Sequence, residues 1–195
     1  MPYDLVIHNG TLVTVNERFD IIPNGLLCIK ADKIKRLEPL DPHQSLPAAT
    51  ETIDAGGGLV LPGLVNSHTH LPMTLFRGLA DDRPLDIWLN KHIFPAENAH
   101  INPENVRWGV LLACAEMMLA GTTACCDGYF LEDQVAEAVA SSGMRAILAQ
   151  GVDDFPAPGV PDPKDNINVP RAFVSKWLNH SPLMTPSVFC HSAYT

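Results

Sequence analysis

Two histidines separated by one residue, His68 and His70, close the stretch Leu64-Val65-Asn66-Ser67-His68-Thr69-His70, just after Pro62-Gly63. Apolar and β-branched residues behind a Pro-Gly break predict a short strand. Alternate side chains of a strand share a face, so Leu64, Asn66, His68 and His70 point one way and Val65, Ser67 and Thr69 the other. Two imidazoles at i and i+2 near a strand end can converge on one ion. They would form half of a zinc or iron site, which takes neutral nitrogens at about 2.0–2.1 Å together with further ligands. A bare His-x-His more often describes one packed and one exposed histidine, so the rest of the chain has to decide.

The bounds set by composition are those of a globular protein. In 195 residues, 46% are hydrophobic, enough for a core in one medium domain or two small ones. Thirteen basic against 22 acidic residues give a net charge of −9 with no charged block, which argues against nucleic acid or an anionic membrane as partner. The cysteines, Cys28, Cys114, Cys125, Cys126 and Cys190, are odd in number and contain no Cys-x-x-Cys, so neither a disulfide framework nor a thiolate zinc site is expected. Reduced thiols in a cytoplasmic protein fit this usage. Met1-Pro2-Tyr3-Asp4 has no basic region of the kind that opens a signal peptide. The most apolar stretch, residues 106–126, is interrupted by Glu116 and Gly121 and makes a poor membrane span.

The elements that must hold the histidines fall into two groups. Residues 1–60 read as a small β module, the N-terminal portion of a β-sandwich, with a core that is marginal by itself. Hairpin-type turns are expected at Asn9-Gly10 and Pro23-Asn24-Gly25, and a tight reversal at Ala31-Asp32-Lys33. Over 61–195 the pattern alternates strand and helix. Asn102-Pro103-Glu104 is a helix start, and Val106, Val110, Cys114 and Met117 recur at helical spacing up to a stop at Gly121. Strands follow at Thr122–Cys126, Arg145–Val152 and Pro186–Cys190, with helices at Leu131–Ser142 and Pro170–Leu178 and a proline-rich loop over 153–169.

Strands alternating with helices imply a parallel sheet, either doubly wound or closed into a barrel. No Gly-x-Gly-x-x-Gly or Walker sequence follows a strand, which disfavours the nucleotide-binding open sheet. Polar residues (His68 and His70, Asp127, Gln150, His191) gather at the C-terminal strand ends, where a (β/α)₈ barrel carries its functional groups. The expected fold class is therefore α/β: a small N-terminal β-sandwich half plus the first half, about four βα units, of a TIM-type barrel. A complete barrel needs eight strands and about 250 residues, so the chain is expected to be truncated.

The motif Leu61-Pro62-Gly63-Leu64-Val65-Asn66-Ser67-His68-Thr69-His70 resembles the first barrel strand of the amidohydrolase superfamily. Thr74-Leu75-Phe76-Arg77-Gly78-Leu79-Ala80-Asp81-Asp82, Trp88-Leu89, Ile93-Phe94-Pro95-Ala96-Glu97, Glu116-Met117-Met118-Leu119-Ala120-Gly121-Thr122-Thr123 and His191-Ser192-Ala193-Tyr194-Thr195 narrow the likeness. Together they resemble the 5-methylthioadenosine/S-adenosylhomocysteine deaminase group, near the chlorohydrolases and guanine deaminases. The likeness covers nearly the whole chain but only the N-terminal part of such a protein.

The resemblance implies that His68 and His70 are the first two ligands of one Zn²⁺ or Fe²⁺ ion. It implies that Glu97 binds ribose hydroxyls and that His191 contacts substrate. Gln150 stands where some members carry arginine, which leaves its substrate contact open, and Trp88 either walls the pocket mouth or simply packs. The catalytic groups and the remaining ligands are expected beyond Thr195. The implied chemistry is hydrolytic: a metal-activated water displaces an exocyclic amine from a purine nucleoside-like substrate as ammonia. Guanine or cytosine deamination and dechlorination are alternatives within the superfamily. The expected partners are that small molecule, water and a second copy of the chain. An alternative of another class is a non-catalytic half-barrel that self-associates through its open edges.

Overall fold

The computed structural model of the chain describes residues 2–41 and 43–190. His191 and the four residues after it lie outside the described residues. The chain divides into two compact units, Met1–Pro62 and Gly63–Thr195.

The first unit is one five-stranded mixed sheet. Its strands are β1 (Tyr3–Val13), β2 (Ile21–Lys30), β3 (Lys33–Pro39), β4 (Ala49–Asp54) and β5 (Leu59–Val60). They run in the order β3-β2-β1-β4, with β5 also on β1. The neighbours β1–β2 and β2–β3 are antiparallel, while β4 and β5 lie parallel to β1. Its core is small: Val6, Leu26 and Cys28, flanked by Tyr3, Leu40 and Ala49.

The turns expected at Asn9-Gly10 and Pro23-Asn24-Gly25 are bulges inside β1 and β2, not chain reversals. Gly10 and Gly25 face each other across the ladder. A Cβ on Gly25 would stand 2.2 Å from Leu12, and one on Gly10 would stand 2.8 Å from Ala55. Asn9 and Asn24 take φ of 55° and 46°. The residue types that suit a hairpin also suit a bulge, and here close packing on the buried Leu12 selects the bulge. The reversal at Ala31-Asp32 is present, joining β2 to β3.

The second unit alternates strand and helix. Strand β6 (Leu64–Thr69) runs into a 3₁₀ turn (Leu71–Phe76), α1 (Leu85–Trp88), a wide π-type turn (Leu89–Ile93), α2 (Phe94–His100) and α3 (Pro103–Leu119). Then come β7 (Thr122–Tyr129), α4 (Glu132–Ser142), β8 (Arg145–Val152), α5 (Asn168–Trp177) and β9 (Met184–Cys190). The four strands are parallel and lie in sequence order, β6-β7-β8-β9.

Helix α3 starts where the sequence expects. The Asn102 side chain accepts from the Asn105 N–H at 3.0 Å, Pro103 opens the first turn and Glu104 stands in it. Gly121 follows the helix at φ 81°, a conformation that costs glycine nothing. Val106, Val110 and Cys114 of α3, Val135 and Val139 of α4, and Phe173 and Trp177 of α5 share one core with Cys125, Ala146, Leu148 and Met184 of the strands. Between the buried Ala146 and Leu148, Ile147 is 45% exposed, so the helices cover one face of the sheet and leave the other open. On β6, Leu64 and Val65 are 59% and 67% exposed. Apolar residues that a sequence reading assigns to a core thus lie open among the described residues.

Gly109 lets α3 approach the segment after His70. A Cβ there would sit 2.8 Å from the Pro72 carbonyl oxygen, a backbone atom that has no room to yield.

Candidate functional site

The ends of β6 and β7 meet at Thr69 and Asp127, which pair in register. Around that pair the structure gathers His68 and His70 and, through Tyr129, Glu97. The rings of His68 and His70 stand edge to face, 5.1 Å between centroids and 82° between planes. His68 is exposed and His70 half-buried. His70 Nδ1 lies 2.5 Å from the Gly128 carbonyl oxygen. A carbonyl can only accept, so Nδ1 carries a hydrogen, and the neutral ring then presents its lone pair at Nε2. Fixing one nitrogen so that the other is presented is how proteins orient a metal-ligating imidazole.

Asp127, 3% exposed, braces both sides of His70. Its Oδ1 accepts from Thr69 Oγ1 at 2.8 Å and from the Leu71 N–H at 2.7 Å. Glu132, fully buried at the start of α4, accepts the Tyr129 N–H at 2.7 Å. The Tyr129 hydroxyl donates to Glu97 Oε1 at 2.5 Å, and its ring lies 5.9 Å from that of His70.

Glu97 is one of the few acids buried in this unit, 7% exposed, so it is no solvated loop residue. It stands in α2, where burial pushes its carboxyl above the usual range while the Tyr129 hydroxyl and nearby His70 pull it back. Burial and the bond to Glu97 together hold the Tyr129 hydroxyl protonated. Burial also pushes Cys125 up to about 12 and raises Cys114, so neither thiol is a ready ligand.

The other expected residues stand apart. Trp88 donates its indole N–H to the Leu79 carbonyl at 3.0 Å, a bond that secures the turn after Arg77. Gln150 is buried and lines a cleft with Leu131, Glu132, Gly159 and Phe173 between α4 and α5. It shares the helix-facing side of β8 with Ala146 and Leu148, because alternation along the strand puts positions 146, 148 and 150 on one face. His191, matched to a substrate contact, lies outside the described residues.

Among the described residues no group of three or more His, Cys, Asp or Glu is gathered to hold a metal. The two imidazoles fit a zinc site in donor type and in the free Nε2 of His70, and they supply half of a tetrahedral set. Sequence reading missed Tyr129 and Glu132. An acid in a helix's first turn ordinarily reads as a favourable surface charge, and nothing local marks Glu132 as buried.

Replacing Tyr129 with Phe strips Glu97 Oε1 of its donor in a buried setting. The expected loss is about 1–3 kcal/mol of unfolding free energy, measured by urea denaturation, with the Glu97 carboxyl moving further up.

Residues 59–194 match the model of the amidohydrolase family. The chain is 43% identical over 195 residues to the 5-methylthioadenosine/S-adenosylhomocysteine deaminase of Syntrophobacter fumaroxidans, covering 98% of this chain and 43% of that protein. It is 42% identical over 176 residues to the 5'-deoxyadenosine deaminase of Methanococcoides burtonii, covering 89% of this chain and 38% of the relative. An adenosine deaminase from Xanthomonas campestris, solved with bound zinc, superposes with a TM-score of 0.91 at 33% identity, over 97% of this chain and 43% of the other. The chain thus spans less than half the length of the proteins it matches.

Proposed function

This chain belongs to the amidohydrolase family, and from that premise we propose that it is the N-terminal part of a metal-dependent hydrolase that deaminates an adenosine-like nucleoside. The four parallel strands would be the first half of a (β/α)₈ barrel. Their sequential order, β6-β7-β8-β9, is the order a barrel uses.

One observation carries the metal assignment. His70 Nδ1 is tied to the Gly128 carbonyl, so its Nε2 is free beside the neighbouring His68 ring. His68 and His70 would hold one Zn²⁺ or Fe²⁺ with ligands from a completing segment. When bound, the ion supplies Lewis acidity that makes water nucleophilic near neutral pH.

The chain's own residues do the positioning. Glu97, with Oε1 taken by Tyr129, keeps Oε2 to accept from a sugar hydroxyl. His191 is proposed as a further substrate contact. Gln150, in the cleft between α4 and α5, is left out of the substrate set. A carboxylate suited to paired hydroxyls favours a nucleoside over a free base or a triazine.

By itself the 195-residue chain is expected to turn over no adenosine-like substrate and to self-associate through the open face marked by Leu64, Val65 and Ile147. The test is ammonia release with 5'-methylthioadenosine, adenosine and guanine as substrates. It compares this chain with the chain extended by the C-terminal part of the Syntrophobacter relative. Activity of the extended protein on the nucleosides supports the proposal. Activity on guanine alone, or turnover by the 195-residue chain with stoichiometric zinc, contradicts it.

A further inference from the structure

Two buried carboxyl oxygens in the second unit, Asp127 Oδ2 and Glu132 Oε2, have no conventional donor. Each residue is at most 3% exposed, and the two carboxyls stand near enough for each to bear on the other's protonation, Glu132 lowering Asp127 and Asp127 raising Glu132. Both remaining oxygens are committed. Asp127 Oδ1 takes Thr69 Oγ1 and the Leu71 N–H, and Glu132 Oε1 takes the Tyr129 N–H. Two ionised carboxylates could not share this dry contact, since nothing there offsets their repulsion. One proton held between Asp127 Oδ2 and Glu132 Oε2, the two oxygens left without a donor, satisfies every atom of the pair.

We propose that Glu132 holds this proton and donates it to Asp127 Oδ2, and that the locked pair is a positioning device for His70. The lock binds three successive points around the ring. Asp127 grips the residue before His70 and the residue after it, while Glu132 fixes the backbone at Tyr129, next to the Gly128 carbonyl that orients Nδ1. The bearing on metal binding rests on His70 being a ligand. The lock itself does not.

Amide substitutions test the proton directly. In Glu132→Gln the amide nitrogen replaces the shared proton and donates to Asp127 Oδ2. In Asp127→Asn it donates to Glu132 Oε2. The double variant D127N/E132Q sets two NH₂ groups face to face, and flipping either amide turns an NH₂ onto the Leu71 or Tyr129 N–H. In the 195-residue chain each single amide is expected to keep the thermal midpoint within about 3 °C of the parent, and the double variant to lose roughly 10 °C or more. Losses that simply add, or single amides as damaging as Asp127→Ala, would overturn the shared proton.

The positioning role has its own readout, nitrogen-15 NMR of the histidine ring nitrogens. His70 should keep its hydrogen on Nδ1 in the parent and in both single variants. It should become a mixture of tautomers in the folded double variant at low temperature. An unchanged His70 in that variant would refute positioning while leaving the proton in place. Neither readout depends on deaminase activity, so failure here and failure of the proposed function are distinguishable.

Discussion

Replacing His70 with Ala in the chain completed by the C-terminal part of its Syntrophobacter relative is expected to lower deamination by on the order of a thousandfold or more, the scale of losing a metal's activation of water. Zinc content should fall in parallel. A tetrahedral site that loses one of its imidazoles loses affinity as well as geometry. His68→Ala should act alike, and the double replacement should cost little more than either single one, since residues that serve one ion are not additive. Glu97→Gln should behave differently. It removes the acceptor for a sugar hydroxyl and should weaken nucleoside binding by about tenfold to a hundredfold, while bound zinc stays stoichiometric. Inductively coupled plasma metal analysis alongside steady-state kinetics separates the two classes.

The second large effect is on stability against pH. Burial is the main cause that raises the Asp127 and Glu132 carboxyls above their ordinary range. The folded pair therefore keeps its shared proton at pH values where the unfolded chain has released it. The pair's contribution is fully present below the unfolded values near 4 and is lost as the pH rises through the folded ones. Exposed carboxylates act in the opposite sense and in another window. Lys30 holds Asp4 low, Asn16 holds Asp20 low and Arg77 holds Glu116 low, so what they contribute fades only as the pH falls below the ordinary carboxylate range. The unfolding free energy should thus decline on going from pH 5 to pH 8, by on the order of a few kcal/mol. In Glu132→Gln, where the amide replaces the shared proton, the decline should be shallower. Urea midpoints across that range give the slope, and a rising slope would contradict the assignment.

How much of this was legible in the residues depends on how local the signal is. The spacing of His68 and His70 and the cap at Asn102 are local, and the structure has both as read. The strands and helices of the second unit also appear, with ends moved by a few residues: α5 begins at Asn168 rather than Pro170, and β9 at Met184 rather than Pro186. Asn9-Gly10 and Pro23-Asn24-Gly25 carry a turn signal that the ladder between β1 and β2 overrides, because the two glycines must meet. Glu97 reads locally as a loop acid and is instead buried in α2 under Tyr129, a contact made across 32 residues. Glu132 and Asp127 are only five residues apart. Yet their shared proton depends on both being buried, which no short window reports. Gln150 shows the converse. A polar residue at a strand end suggests a site, but the register of β8 turns it toward the helices.

The most direct test is an anomalous diffraction map at the zinc edge for the completed protein. A metal peak about 2.0–2.1 Å from Nε2 of both His68 and His70, with His70 Nδ1 still on the Gly128 carbonyl, is the expected result. A zinc ion held by other side chains, or imidazoles turned away from it, would contradict the assignment of this strand end as half of a metal site.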